Sequence, residues 1–536
     1  MPTPLGPLAP AHPEPAFHLS AERWLPVTGQ DGVQREVTLT EAFRDAHNIR
    51  SIASADPLEV AALTRFLVSI TYLIYSHSRD ITRDTSAWTQ ALHGGELPEV
   101  SVDAVLDRLH SYLWLLHPTT PFLQEPLLRD RVTNAAKVKG DQVDQATAGF
   151  HSVEQILLRP NYPWLTRNDP ISALTFAHAA RALITRHFYR AGGNEMDLYD
   201  PATGKPSRYA GGGIGATSKG DFTQFFRQGP TLGATLTANL IEPLAERPWG
   251  ELTWYEDHHL SPGPLWRLTH SAAATYLLPP TAEHPGAITH LLRSRSTTGP
   301  DTAKATLDAA KLEDPYTIWV PKKDDASPHR TQDAAKIIVR PERSQHRNTH
   351  DALSKITRDN ALPNVLTGPS VLDVRHSGVT ALCATLAGSS SYVYDHATTI
   401  TWDPRALTAP RAIRVRLHGH LSRVVASSGS LTSQLRYRVR SVSDGRDKPA
   451  DTAFSDVAEA ELMRRCDQIL NDLTTQILDG EHPDPVLPDA VRTALVEAVV
   501  GAFRTATQPF VTSGRGRVSV EEHAAKLRTQ ARGILR

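Results

Sequence analysis

Residues 456–478 read DVAEAELMRRCDQILNDLTTQIL. Leu462, Cys466, Ile469, Leu473 and Ile477 recur every three or four positions, with charged and amide side chains between them. That spacing puts the apolar residues on one face of an α-helix and leaves the rest to water. A one-sided helix must bury its stripe against other helices, and its neighbours in the chain supply them. Ala412–Val425 precedes it, and Pro488–Thr505 follows with Ala490, Leu495, Val499 and Phe503 in step. A last helix opens at Ser519, with Glu522 three residues on, the spacing of a capping box. Asp479–Pro488, with its prolines, is a connecting loop. Residues 401–536 are therefore a C-terminal helical bundle of the four-helix type.

Upstream the pattern changes. Residues 17–400 read as one large, irregular, mixed α+β domain. The stretch from Phe17 to Leu39, FHLSAERWLPVTGQDGVQREVTL, alternates apolar and polar residues around Asp31-Gly32, a hairpin signal. Thr38 and Glu41 form a capping box, and Asp56-Pro57 opens a longer helix with Phe66, Leu67, Ile70, Leu73 and Ile74 in helical register. Helices are also expected over Val102–Leu116 and Ile171–Tyr189. Short β-like runs such as TIWV and KIIV follow in residues 240–400. Residues 1–16, rich in proline, are expected to be disordered.

The chain has 536 residues, 40% of them hydrophobic, and a formal net charge of -1. This is ample for a core and excludes a uniformly basic nucleic-acid binder, so any such surface must be local. Two cysteines, Cys383 and Cys466, cannot build a Cys₄ zinc site. The N-terminus lacks the basic start and apolar stretch of a signal peptide, and Phe66–Tyr75 is too short for a bilayer span. A cytoplasmic protein away from membranes is expected.

No catalytic constellation stands out. Gly213–Ser218 is a partial G-x-G-x-x-G, and Ser218-Lys219-Gly220 inverts the P-loop order. His258-His259 and His418-x-His420 are poorly spaced for one metal, and His350-Asp351 lacks identifiable partner ligands. No metal and no cofactor are expected. The charge distribution says more: between Asp403 and Lys448 lie ten basic and three acidic residues. Arg411, Arg414 and Arg416 lead this stripe, which reads either as a phosphate-binding surface or as a solvated helix face.

The order of several motifs resembles a known family. The opening FHLSAERWLPVTG, then TPFLQ (Thr120–Gln124), AGGN (Ala191–Asn194), GPLWRLTHSAAATYLL (Gly263–Leu278), DPYTIWVPKKD (Asp314–Asp324) and the C-terminal bundle are similar to the CasA large subunits of type I-E CRISPR Cascade complexes. The resemblance implies a non-catalytic subunit partnered with CRISPR RNA, other Cascade subunits, double-stranded target DNA and a helicase–nuclease. It would read a protospacer-adjacent motif and help open the duplex. Two other readings stay open: a metal-dependent hydrolase using His350 and Asp351, and a helical protein-binding scaffold.

The resemblance also implies site residues. A glycine loop that enters the DNA minor groove matches Gly192, Gly193 and Asn194, with Gly211, Gly212 and Gly213 as the second choice. A lysine finger falls on Lys304, or else Lys311. A strand-separating wedge falls on Gly388, Ser389, Ser390 and Ser391, and a loop for the RNA 5′ handle on Arg159, Tyr162, Trp164 and Arg167. The cysteine cluster of many relatives is absent here, and residues 195–209 read as an insertion.

Overall fold

The helix opened by Asp56-Pro57 is the centre of the larger of two compact units. The computed structural model describes residues 11–77, 95–130, 138–139, 142–143, 150–157, 171–189, 198–199, 206–207, 222–240, 273–295, 316–317, 319–320, 335–336, 345–359, 378–386, 394–402, 404–442, 452–482 and 486–535. Unit 1 comprises residues 1–338 and 362–402, and unit 2 comprises 339–361 and 403–536.

Unit 1 begins with strands β1 (Ala16–His18), β2 (Leu25–Gly29) and β3 (Gln34–Val37), helix α1 (Leu39–Arg44), β4 (Ile49–Ile52) and helix α2 (Pro57–His77). β2 and β3 form the hairpin announced by Asp31-Gly32, and Gly32 takes the left-handed conformation at φ 78°. β4 adds to the other edge of β2. The capping box of α1 is complete: the Glu41 amide donates to Thr38 Oγ1 at 3.0 Å, and the Thr38 amide to Glu41 Oε2 at 2.8 Å. Trp24 is fully buried, its Nε1 donating to the Leu19 carbonyl at 2.8 Å.

α2 is buried around its circumference. Leu63, Phe66, Leu67, Val68, Ile70 and Ile74 are shut off from solvent, and so are Ser69 and Thr71. Those two hydroxyls bond back to the Phe66 and Leu67 carbonyls, which removes the cost of burying them. The apolar run at Phe66–Tyr75 thus belongs to a longer helix that is long and apolar enough to cross a membrane; its sides are instead covered by protein. Arg65, 2% exposed, lies between the rings of Phe188 and Tyr316 at 5.5 and 5.2 Å, a setting that suits a weakly hydrated guanidinium.

Helix α3 (Glu99–Leu109), strands β5 (Trp114–Leu116), β6 (Phe150–Ser152) and β7 (Leu174–Thr175), helix α4 (Phe176–Tyr189), strand β8 (Phe222–Gln228) and helix α5 (Leu232–Ala238) come next. Strands β9 (Ala273–Leu277), β10 (Ala287–Ile288) and β11 (His290–Arg295) follow. α2 packs on α3, α4, α5 and β4. The helix expected over Val102–Leu116 stops at Leu109, because Trp114–Leu116 pairs with β1 instead. An apolar Trp-Leu-Leu fits either state, and the partner strand decides. The helix expected from Ile171 starts at Phe176, since Leu174–Thr175 pairs with β10. The proline-rich segment expected to be disordered contains His12, which is 2% exposed with its ring 5.1 Å from that of Tyr276. Order therefore starts before residue 17. Trp319–Val320 pairs with Ala335–Lys336, so TIWV and part of KIIV do form a short ladder.

Helix α6 (Gln345–Asp359), strands β12 (Gly378–Leu386) and β13 (Tyr394–Trp402), and helices α7 (Arg411–Ser441), α8 (Thr452–Leu478), α9 (Asp489–Thr507) and α10 (Gly514–Ile534) complete the chain. In unit 2, α7, α8, α9 and α10 each pack on the next, and α10 closes back on α7. α6 lies against α7 and α8, so the bundle recruits a helix from inside the region read as the mixed domain. The stripe of α8 runs through Leu470 rather than Ile469, and Ala490 is exposed where Val491 is buried. α7 is longer than Ala412–Val425. α10 is capped by Ser513, whose hydroxyl accepts from the Gly516 amide at 2.9 Å, not by Ser519.

Candidate nucleic-acid interface

β8, β12 and β13 form one three-stranded antiparallel sheet with β12 in the middle. Phe222 opposes Ala384, and Leu386 opposes Tyr394. The start of β8, the end of β12 and the start of β13 therefore share one end of the sheet. Residues 208–221, with Gly211, Gly212 and Gly213, run into that end at Phe222. The hairpin connection 387–393, with Gly388, Ser389, Ser390 and Ser391, joins β12 to β13 there. These seven residues lie outside the described residues, but chain continuity roots both segments at the same edge.

α4 brings a third segment. Its last residue, Tyr189, is buried, and its hydroxyl donates to Gln224 Oε1 of β8 at 2.6 Å. Gly192, Gly193 and Asn194, also outside the described residues, begin three residues further on, within about 11 Å of chain. A fourth segment arrives on the other edge of β8. The Phe225 amide donates to the Tyr316 carbonyl at 2.8 Å, the Tyr316 ring stacks on Phe226 at 4.8 Å, and its hydroxyl donates to the Asn239 carbonyl. Lys311 precedes Tyr316 by five residues and Lys304 by twelve, and both lie outside the described residues. The tether holds Lys311 within about 18 Å of β8, and Lys304 within about 43 Å.

The centre of this scaffold is polar and closed. Thr223, Gln224, Arg227 and Asn239 are each at most 1% exposed. Asn239 clasps Arg227, accepting from its amide and donating to its carbonyl at 3.0 and 2.7 Å. Burial holds the Arg227 guanidinium down at about 10. Arg159, Tyr162, Trp164 and Arg167 fall in the undescribed stretch before β7, next to the opposite end of α4. At 1.5 Å per residue, the helix separates the two ends by about 20 Å.

α7 in unit 2 is the basic stripe. It has no Asp or Glu in its 31 residues. Arg411, Arg423 and Arg440 are exposed and Arg416 is half-buried. Arg414 is only 6% exposed, because it falls in register with Leu417, Leu421 and Val424 on the face that packs into the bundle. It cannot reach a ligand in this fold, which corrects its expected backbone-contacting role. Other arginines of the stripe have partners at home: Arg436 bonds Glu459 at 2.7 Å, Arg438 bonds Gln530 at 3.2 Å, and Arg405 pairs with Asp479 at 2.7 Å. The accessible cationic face is therefore Arg411, Arg416, Arg423 and Arg440. Arg423 and Arg440 were legible from the helical period, which sets them apart from the buried positions.

His350 of α6 faces α7. Its Nδ1 lies 3.1 Å from Asp351 Oδ1 and its Nε2 3.1 Å from Ser422 Oγ, while its ring stacks on His418 at 4.8 Å. His418 is shifted down by burial and by His350 beside it. Among the described residues no three His, Cys, Asp or Glu side chains gather where they could hold a metal ion. The pair joins two helices rather than opening into a ligated centre.

The model of one protein family, described as CRISPR-associated protein Cse1, matches residues 18–506. The chain belongs to the Cse1 family. A curated relative, the CRISPR-associated protein CasA/Cse1 of Thermus thermophilus, is 28% identical over 180 residues, which spans 33% of this chain and 32% of that protein. The fold is similar to the crystal structure of Cse1 from Acidimicrobium ferrooxidans, with TM-score 0.68 at 18% identity over 97% of this chain and 99% of that one. It is also similar to a chain of a CRISPR RNA-guided surveillance complex, with TM-score 0.56 at 17% identity over 96% and 99%.

Several of the motifs that carry the resemblance do structural work. In TPFLQ, Phe122 is buried with its ring 5.5 Å from Phe66. Gln124 donates to the Leu115 carbonyl at 2.5 Å and accepts from the Leu277 amide at 2.7 Å, tying β5 to β9. The Tyr of DPYTIW is the Tyr316 that anchors on β8. In residues 195–209, Leu198–Tyr199 pairs with Pro206–Ser207.

Proposed function

We propose that this chain is the non-catalytic large subunit of a cytoplasmic surveillance complex built on a CRISPR RNA and other Cascade subunits. In that complex it reads a protospacer-adjacent motif in double-stranded DNA, helps start strand separation and recruits the helicase–nuclease. Family membership and the likeness to a surveillance-complex chain support this reading. The observation that carries it is that Tyr189, Phe222, Leu386 and Tyr394, the described residues flanking the segments 192–194, 211–213 and 388–391, meet at one end of the β8–β12–β13 sheet.

Glycine segments suit a minor groove because a backbone without side chains can approach the groove floor. That groove separates A·T from G·C and little more, so the motif is read degenerately. In this reading the serine-rich connection between β12 and β13 supplies the wedge that parts the first base pair. The RNA-handle loop attaches at the far end of α4, which keeps RNA and motif contacts apart. The exposed arginines of α7 supply phosphate contacts that add affinity without sequence information.

The test is binding by assembled complexes to matched targets bearing good or poor motifs. Gly193→Val should abolish target-specific binding and leave RNA and subunit binding intact. A Gly193→Val complex that keeps the wild-type preference would move the reader to Gly211–Gly213. Arg411→Ala with Arg416→Ala and Arg423→Ala should weaken binding to all DNAs alike and flatten its salt dependence. Unchanged affinity across salt concentrations would make the stripe a solvated face.

A further inference from the structure

Four arginines of α7 carry charge that the bundle does not use. Elsewhere in unit 2, Arg464, Arg504 and Arg528 pair with Glu461, Glu521 and Glu497. Among the described residues, Arg411, Arg416, Arg423 and Arg440 have no ion pair and no side-chain hydrogen bond. α7 supplies no carboxylate of its own, because none of its 31 residues is acidic. A row of unpaired guanidinium groups repels itself, and an external polyanion relieves that repulsion.

The helical period gathers three of these arginines around an aromatic ring. Arg416, Arg423, Ser430 and Tyr437 recur every seventh residue, so they lie along one side of α7, each about 10.5 Å beyond the last. Arg440 follows Tyr437 by three residues and stays on that side. Tyr437 is 61% exposed, and the Arg438 guanidinium lies over its ring at 5.3 Å. Arg438 is itself held by Gln530 Oε1 at 3.2 Å. Between Arg423 and Tyr437 the exposed residues are Ala426, Gly429, Ser430 and Ser433, none long enough to obstruct a strand lying there. Duplex DNA offers phosphates to arginine but hides the flat faces of its bases in the stack. An unpaired strand offers both. Of the polyanions that match the charge of α7, it is the one that also presents flat faces to the ring.

We propose that Tyr437 stacks on a base of single-stranded DNA held along α7 by Arg416, Arg423 and Arg440, the strand displaced when guide RNA pairs with its complement. This rests on the DNA-contacting role of α7 proposed above. It gives Tyr437 a part that phosphate contacts lack: preference for an unpaired strand over a duplex. Every base has a flat face, so the contact holds the displaced strand without reading its sequence.

The experiment uses complexes assembled with guide RNA and all subunits, carrying Tyr437→Ala, Tyr437→Leu or Tyr437→Phe. Each is bound to two matched targets with the same flanking duplex and motif. One keeps the displaced strand opposite the guide, and the other lacks it there. Relative to wild type, Tyr437→Ala and Tyr437→Leu should weaken binding of the complete target roughly five- to tenfold, the lower range for losing one stacked base. Neither should change binding of the target that lacks the strand. Tyr437→Phe keeps the ring and should stay within about twofold of wild type on both targets. Losing the contact with Arg438 would act on both targets alike, so the comparison isolates the stacking. Iodouracil placed in turn along the displaced strand should photocrosslink to Tyr437. No crosslink at any position, unchanged affinity for the complete target in all variants, or an equal loss on both targets overturns the proposal. So does failure of the Ala and Leu variants to assemble where Tyr437→Phe assembles, which would mark the ring as a contact with another subunit. Arg416→Ala with Arg423→Ala, run across salt concentrations, separates the two ideas. If it flattens the salt dependence while Tyr437→Ala binds both targets as wild type does, only the stacking fails. If it too binds as wild type does at every salt concentration, the DNA-contacting role of α7 fails with it.

Discussion

The bundle of unit 2 and the mixed unit 1 solve the burial of an apolar core in opposite ways. In unit 2, α7 to α10 follow one another in the chain, and each helix buries one stripe against its sequence neighbours. Apart from the buried Arg414, its described Arg, Lys, Asp and Glu side chains are not buried, and neighbouring helices pair some of them, as Arg528 of α10 does with Glu497 of α9. In unit 1 the partners come from far along the chain. β1 pairs with β5 about a hundred residues later, β8 pairs with β12, and α2 is wrapped on all sides. Polar groups are drawn inside, where Arg65, Arg227, Gln224 and Asn239 are shut from water. A local bundle tolerates change on its surface. A non-local core with polar groups inside fixes geometry, and the segments assigned to DNA reading are rooted in that part.

The sharpest way to break this contrast is at a close backbone approach in unit 1. A Cβ on Gly233 would collide with the Gly95 carbonyl oxygen and touch Ala46. Gly233→Val should cost upwards of about 3 kcal/mol, because a backbone atom cannot rotate away. Two-probe denaturation should show the loss in unit 1 while the helical signal of unit 2 persists; a single unchanged transition would refute the prediction. In unit 2, Phe503→Ala, at a fully buried position of α9, should destabilise by about 3–5 kcal/mol through lost burial and a cavity. Equal loss of both units' signals would mean that the two are one cooperative block.

A pH series comes next in size. Burial, then repulsion from Arg129 and His117, lowers His12 from its usual 6.5 to about 4. The unfolded chain takes up a proton near pH 6.5 that the folded site refuses until about pH 4. The docking of the N-terminal segment is therefore fully stable above pH 6.5 and weakens as pH falls towards 4. Hydrogen exchange around Tyr276 should report this, and His12→Phe should remove the pH dependence. An exchange profile equally flat in wild type would contradict the assignment. The smallest effect belongs to the bundle surface: Glu497→Gln, which breaks the ion pair with Arg528, should cost under about 1 kcal/mol because solvent screens the pair. A larger loss would show that the surface of unit 2 is less tolerant than its layout implies.

How much was legible follows the same division. Local signals sufficed where neighbours in sequence are neighbours in space: the Asp31-Gly32 turn, the Thr38/Glu41 box, and the stripes of α8 and α9. They failed where a distant partner decides. Trp114–Leu116 is a strand because β1 lies beside it, and His12 is ordered because Tyr276 waits more than 250 residues away. Ser519 and Glu522 have the spacing of a cap, yet the helix had already begun at Ser513. The family was readable from the order of its motifs, several of which are packing positions.

By itself the amino-acid order determined that this chain carries a helical C-terminal bundle, a mixed region before it, no evident catalytic motif and a helix rich in arginine. Helical period, capping residues and charge are local properties, so they survive without a fold. Only the tertiary structure decided which arginines of that helix face solvent, that Arg414 is not among them, and that helix 345–359 belongs with the bundle. It alone brought Tyr189, Phe222, Leu386 and Tyr394, residues up to two hundred positions apart, to one end of one sheet. The reason is physical: strand pairing and buried hydrogen bonds such as Tyr189 to Gln224 join residues distant in sequence, and no periodicity along the chain encodes the partner.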